Sequence, residues 1–219
     1  MEIINLAEQN TILNQFVSEI RNVDVQKDRL RFRRNIERVG EIMAYEISKR
    51  LNYKGIDTNT PLGIDHTNVP CDPVVIGTIL RAGLIFHSGF LGYFDKAESA
   101  FVSAYRKSRE KASSIDIHIE YIASPRIDDK ILILADPMLA TGGSMELSYQ
   151  ALLTKGEPRH IHVATIIASK QAIDYCSKNF PQDKTTIWAA AIDPELDDHA
   201  YIVPGLGDAG DLAYGEKIH

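Results

Sequence analysis

The sequence predicts an α/β fold with a mostly parallel sheet covered by helices on both faces. From Val74 onward, apolar strand-like runs alternate with stretches of helical spacing. The run Lys130–Asp136, KILILAD, is short and continuously apolar, as a central parallel strand requires. A Gly-rich turn follows it directly, at the strand end where such folds bind their ligands.

Before that pattern begins, Ile12, Leu13, Phe16, Val17 and Ile20 recur at helical spacing. A longer helix follows, with Phe32, Ile36, Val39, Met43 and Ile47 on one face and Arg29, Arg31, Arg33, Arg34 and Arg38 on the other. Such a basic face could meet phosphate or RNA, though a solvated or subunit-facing helix is the commoner outcome. Then VVIGTIL reads as a buried strand, LIFHSGFLGYF as a helix or turn-rich crossover, and AFVSAY as another strand. SIDIHIEY alternates strictly, with Ile115, Ile117 and Ile119 on one face and Asp116, His118 and Glu120 on the other. That is a half-exposed antiparallel strand, one arm of a hairpin. After KILILAD come the turn, a helix through Leu147 and Leu153, the strand HVATII, a helix around Ile173 and Cys176, and the strand TIWAAAI. No repeat, low-complexity tract or linker breaks the chain, so residues 1–219 are expected to form one domain.

Composition sets the limits on function. Hydrophobic residues are 44% and charged residues 25% of 219, which is ordinary globular usage and enough for a core without staples. Two distant cysteines, Cys71 and Cys176, fit a reduced cytoplasmic setting better than a disulfide framework. The N-terminus carries early acids and no long apolar run, so no signal peptide is expected. No apolar stretch approaches the ~20 residues needed to cross a bilayer, and no membrane partner is expected. A net charge of −6 weighs against a nucleic-acid partner but not against a small anion, which needs only a local cluster of donors.

The segment Ile131–Ser144 carries the chemistry. Asp136 stands where the strand ends; Thr141, Gly142, Gly143 and Ser144 stand where the next helix begins. Successive N–H groups at a helix start, with two hydroxyls, can hold a phosphate. Asp136 would repel that phosphate and suits the hydroxyls of an attached sugar instead. An isolated TGGS would be only a turn and helix cap; strand, terminal Asp and helix together favour the phosphate site. The P-loop pattern fails for want of its lysine.

With those residues in view, Asp136, Pro137, Met138, Leu139, Ala140, Thr141, Gly142, Gly143 and Ser144 closely resemble the phosphoribosyl diphosphate (PRPP) loop of uracil phosphoribosyltransferases. Pro137 stands where the broader phosphoribosyltransferase group has a second acid, as in the uracil branch. ILRAG at 79–83 resembles the family's pyrophosphate loop, AYR at 104–106 also matches, and YIVPGLGDAGD at 201–211 resembles its uracil-binding segment. The resemblance runs from about Arg31 to Gly215 and leaves the first helix and the tail unmatched.

The resemblance implies a type I phosphoribosyltransferase-like architecture, a mostly parallel sheet flanked by helices with a small hood from the termini and a β-hairpin arm. It implies that uracil and PRPP become UMP and pyrophosphate, with magnesium as cofactor and no metal ligated directly by the protein. Arg81 and Arg106 would hold the pyrophosphate, for which a guanidinium fork is well shaped. Ile202, Gly207 and Ala209 would present main-chain groups to uracil, and Asp208 would reach toward PRPP and the magnesium shell. Cytosine inverts two of uracil's three edge positions, and each buried mismatch costs about 1–3 kcal/mol. The arm around SIDIHIEY is expected to close over PRPP. A homodimer or higher homo-oligomer, with GTP as a possible effector, completes the expectation.

GLGDAG at 205–210 also spells a dinucleotide fingerprint, but too few residues follow it for the βαβ unit that pattern needs. The seven histidines read as structural or surface groups, and His219 at the chain end is given no role. Two alternatives stay open. One is a regulator of pyrimidine-operon RNA, resting on the basic helix at 29–38; the other is an enzyme of the same fold acting on a purine or orotate.

Overall fold

The structure is a computed structural model that describes residues 1–107 and 116–217. A short first strand, β1 (Glu2–Asn5), leads to helices α1 (Ile12–Arg21) and α2 (Arg29–Ser48). The Asp28 carboxylate starts α2 by accepting from the Leu30 and Arg31 N–H groups, satisfying donors that a helix start leaves unpaired. The expected apolar face of α2 is the one that is buried, with Phe32, Ile36, Val39, Met43 and Ile47 all at 1% exposure or less.

Two strands that the sequence reading passed over come next. β2 (Tyr53–Thr60) and β3 (Gly63–Pro70) form an antiparallel hairpin that is exposed along nearly all its length. The remaining elements are β4 (Val74–Leu80), α3 (Gly83–Leu91), β5 (Glu98–Lys107), β6 (Asp116–Ala123), β7 (Ile131–Ala135) and β8 (Met138–Leu139). Then follow α4 (Gly143–Leu153), β9 (His160–Ser169), α5 (Lys170–Asn179), β10 (Thr185–Asp193), β11 (Glu195–Leu196), β12 (Ile202–Val203) and α6 (Ala209–Tyr214).

The main sheet runs β1-β10-β9-β7-β4-β5-β6, with β8 added beside β9. Every pairing is parallel except that of β5 with β6. The antiparallel pair is the expected hairpin arm; Ser114 and Ile115 lie outside the described residues, as do the side chains of Asp116, Ile117, His118 and Ile119.

Alternation along the central strands splits the core in two. Ile131, Ile133 and Ala135 face α1, α2, α3 and α6, while Leu132 and Leu134 face α4 and α5. Each such buried aliphatic side chain contributes roughly 1.5–3 kcal/mol. At the crossing of α2 with α3 a Cβ on Gly89 would stand 2.3 Å from the Glu37 carbonyl oxygen, so the two helices meet backbone to backbone. That contact sets the angle of α3, the helix that leads out of Arg81. The termini also meet over the sheet: Arg33 donates to the Ala213 carbonyl at 2.9 Å, and Arg21 pairs with Asp193 at 2.7 Å.

Candidate active site

The carboxyl ends of β4 and β7 open into a cavity of about 610 Å³. This is where the fold rule places a ligand. Three segments converge on it: the turn after β4, the loop from β7 to α4, and the C-terminal stretch from His199 to Lys217.

The loop from Asp136 to Gly142 is fastened at several points. The Pro137 carbonyl accepts from the N–H groups of Ile166 and Ile167 on β9, at 3.1 and 3.0 Å. The Ala140 carbonyl accepts from Ser169 Oγ at 2.5 Å, and the same hydroxyl caps α5 through Ala172 N–H. Asp136 Oδ1 accepts from Met138 N–H at 3.2 Å. Gly142 is the cap of α4, with φ +87, and a Cβ there would stand 2.7 Å from Tyr175. Only glycine takes that backbone conformation without strain. The result is a rigid turn lined by Thr141, Gly142 and Ser144 at the start of α4, a geometry suited to an anion.

Arg81 enters from the end of β4. Its Nη2 donates to Asp211 Oδ1 at 2.7 Å, and its Nη1 to the Gly215 carbonyl at 3.4 Å. Opposite stands the segment carrying Ile202, Gly207, Asp208 and Ala209, all of which line the cavity. Asp208 Oδ1 caps α6 by accepting from Asp211 N–H at 2.9 Å, and its Oδ2 lies 3.7 Å from Lys217 Nζ. The carboxylate is thus both a helix cap and a wall of the cavity.

Most of the residues expected from the sequence meet here: Arg81, Asp136, Met138, Leu139, Ala140, Thr141, Gly142, Ser144, Ile202, Gly207, Asp208 and Ala209. Pro137 and Gly143 belong to the same turn but are not part of the lining. Pro137 holds the loop to β9, and Gly143 begins α4. Arg106 lies in β5 opposite Ile117; its side chain is outside the described part of the structure.

Four lining residues, Met145, His199, Ala200 and Lys217, fall outside the segments that the sequence singles out. His199 stands in the cavity wall and is exposed there, a surface group as expected. Lys217 lines it too, although the tail had been left unmatched. No local pattern marks either one; only the path of the chain brings them in.

Buried His87 and His162 and half-buried His160 lie away from the cavity. His87 bonds Thr78 and Ser99 beneath the β4 turn. His160 and His162 sit ring to ring at 4.6 Å on β9, and Trp188 Nε1 donates to His162 Nδ1 at 3.0 Å. Burial pushes the His162 pKa down to about 3. Among the described residues no group of three or more His, Cys, Asp or Glu could hold a metal, and no helix is long and apolar enough to cross a membrane.

The basic face of α2 is largely spent inside the molecule. Arg31 pairs with Glu19 at 2.8 Å, and that bond holds the Glu19 carboxyl down to about 2. Arg34 pairs with Glu37, Arg38 lies over the Phe16 ring, and Arg33 is bonded to the Ala213 carbonyl. The RNA reading, which rested on this face, loses its support.

Comparison with known proteins points one way. A family model described as uracil phosphoribosyltransferase matches residues 7–216, so the first helix lies within the match, contrary to the narrower span read from motifs. A uracil phosphoribosyltransferase of Porphyromonas gingivalis is 65% identical over 218 residues, covering 100% of both chains. One from Methanothermobacter thermautotrophicus is 38% identical over 94% of this chain and 93% of its own. Among solved structures, the AQ2163 protein from Aquifex aeolicus superposes with a TM-score of 0.85 at 27% identity, over 99% of this chain and 100% of that one.

Proposed function

We propose, for a chain that belongs to the uracil phosphoribosyltransferase family, that this cavity joins uracil to the ribose of PRPP, giving UMP and pyrophosphate. The observation that carries the reading is the convergence of the fastened loop at 136–142, Arg81 and the 202–209 segment on one cavity.

The 5-phosphate rests on the start of α4, against Thr141, Gly142, Gly143 and Ser144. Asp136 receives the ribose hydroxyls. Arg81 and Arg106 hold the pyrophosphate, whose charge grows as the bond to the anomeric carbon breaks; fixed cations act most strongly where charge develops. Uracil N1 forms the new bond to that carbon from the opposite face and loses its proton. The main chain of Ile202, Gly207 and Ala209 reads the base edge, so the base is held without using the carboxylate of Asp208.

The residues present suit magnesium held mainly through substrate and water. Asp136 and Asp208 are two separate carboxylates lining the cavity, not a preformed cage, and magnesium keeps much of its hydration in such sites. Asp208 would anchor that shell; when bound, the ion supplies positive charge beside the pyrophosphate oxygens.

Residues 1–219 act as one domain, which the unbroken family match over 7–216 supports. The β5–β6 arm closes over bound PRPP, as its place beside β4 and Arg81 favours. The enzyme works in the cytoplasm as a homodimer or higher homo-oligomer. Exposed Leu84 and Leu91 on the otherwise apolar α3 are suited to subunit contact. GTP as an effector rests on the family resemblance alone.

Supplying PRPP and magnesium with uracil, cytosine, hypoxanthine or orotate, and separating the products, tests the assignment. UMP from uracil alone is expected. Equal turnover of cytosine, or exclusive use of hypoxanthine or orotate, would sink it.

A further inference from the structure

We infer that Lys217 is a third pyrophosphate-binding cation beside Arg81 and Arg106, delivered into the cavity by the C-terminal tail. The inference rests on the reading of this cavity as the PRPP site.

The tail is turned back on purpose-built contacts. α6 stops at Tyr214, and Gly215 follows with φ +98 while its N–H bonds the Asp211 carbonyl at 2.9 Å. A residue with a side chain would resist that backbone angle, so glycine permits the chain to leave the helix axis here. The Gly215 carbonyl then accepts from Arg81 Nη1 at 3.4 Å, which ties the tail to the cation assigned to pyrophosphate. Beyond it Lys217 lines the cavity, with Nζ 3.7 Å from Asp208 Oδ2.

Charge then argues for a role. Among the described residues that line the cavity, the cations are Arg81 and Lys217 and the carboxylates are Asp136 and Asp208. A ligand carrying both a phosphate and a diphosphate needs every cation in reach. Each of the two is held by an acid of the base-reading segment, Arg81 by Asp211 and Lys217 by Asp208. A half-exposed pair at 3.7 Å is weak, so the ammonium can turn to a multiply charged anion at little cost. Its flexible stem suits a leaving group whose charge shifts during reaction. The competing reading is a surface lysine resting beside a carboxylate.

Lys217→Gln, Lys217→Glu and Lys217→Arg in the full chain separate these readings. Steady-state constants for PRPP and uracil are measured with calorimetric titration of magnesium pyrophosphate and a thermal melt. The expected result for Lys217→Gln is a rise of about tenfold in both the PRPP constant and the pyrophosphate Kd, the size of one charge-assisted contact. Lys217→Glu should be worse and Lys217→Arg close to wild type, with the uracil constant and the melt unmoved in all three. An unchanged PRPP constant in Lys217→Gln and Lys217→Glu, while Arg81→Ala in the same assay is impaired, would overturn the inference alone. If Arg81→Ala is silent as well, the PRPP reading of the cavity falls and takes this inference with it.

Discussion

The two walls of the cavity are built differently. The loop at 136–142 hangs on main-chain bonds to β9, a hydroxyl bridge to the α5 cap, and a glycine pressed against Tyr175. The segment at 202–217 is held through side chains: Ile202, Leu206, Ala209 and Ala213 are buried in the core, Arg21 and Asp193 grip Gly205 between them, and Arg81 pairs with Asp211. A phosphate cradle must keep its donors fixed, and attaching it to the sheet achieves that. A base-reading segment attached through its side chains can be exchanged without disturbing the sheet's main-chain ladder, so specificity sits on the replaceable wall. Main-chain fastening should fail all at once when one residue is wrong, whereas side-chain fastening should weaken by degrees.

The first wall breaks most completely at Gly142. Gly142→Val combines a left-handed backbone angle with a collision against Tyr175, and PRPP affinity should fall by about 100-fold or more, with a melt lowered by the ~1–2 kcal/mol of backbone strain. Titration calorimetry and a thermal melt check both. Gly143→Val, which begins α4, should also weaken PRPP severely while leaving the melt nearly unchanged.

Asp208 separates the chemistry of the second wall from its recognition. Asp208→Asn keeps the α6 cap, since Asn caps about as well as Asp, and so keeps Gly207 and Ala209 in place. It removes the charge that would anchor hydrated magnesium. Turnover should drop about 30-fold (~2 kcal/mol) with the uracil-over-cytosine preference intact, as kinetics at several magnesium concentrations would show. Wild-type turnover would mean the carboxylate is only a cap.

A smaller effect on activity is expected at Arg21, which helps fasten that wall. Arg21 makes two 2.7 Å bonds to Asp193, which is 5% exposed, and a third at 3.0 Å to the Gly205 carbonyl. Arg21→Ala leaves a buried carboxylate without its cation, which destabilises by about 3–5 kcal/mol. In activity it should raise the Michaelis constant for uracil about tenfold and that for PRPP less than threefold, measured below the lowered melting temperature.

How far the sequence reached follows the same divide. Continuous apolar runs such as KILILAD and VVIGTIL, short and rich in β-branched residues, read as buried strands, and the phosphate turn was legible because Asp136, Thr141, Gly142 and Ser144 lie close in sequence. The Arg81–Asp211 pair and the place of Lys217 were not legible, because contacts between distant segments leave no local pattern. The β2–β3 hairpin escaped for another reason. With nearly every residue exposed, it has no buried face to impose alternation, and only Pro61 and Gly63 at its turn hinted at it. The place of His199 in the cavity wall was not legible, because an exposed histidine in an acidic loop looks the same whether or not a cavity lies beside it.

The smallest effect concerns the sheet that carries the first wall. His162 is neutral in the folded chain, with its pKa held near 3 by burial, against an ordinary 6.5. Unfolding frees it to take up a proton below pH 6.5. Stability is therefore full above that value and declines as pH falls toward 3, by at most about 1.4 kcal/mol per pH unit. His160, also lowered by burial, adds in the same direction. Denaturant midpoints from pH 7 to 5 should fall, and His162→Gln, which can still accept from Trp188, should flatten the slope.

A crystal structure with UMP bound tests the division between the walls most directly. The phosphate is expected on the N–H groups and hydroxyls of Thr141–Ser144, and the uracil edge within hydrogen-bonding distance of main-chain groups of Ile202, Gly207 and Ala209. A phosphate seated elsewhere, or a uracil edge met by side chains such as Asp208 or His199 instead of the main chain, would contradict it.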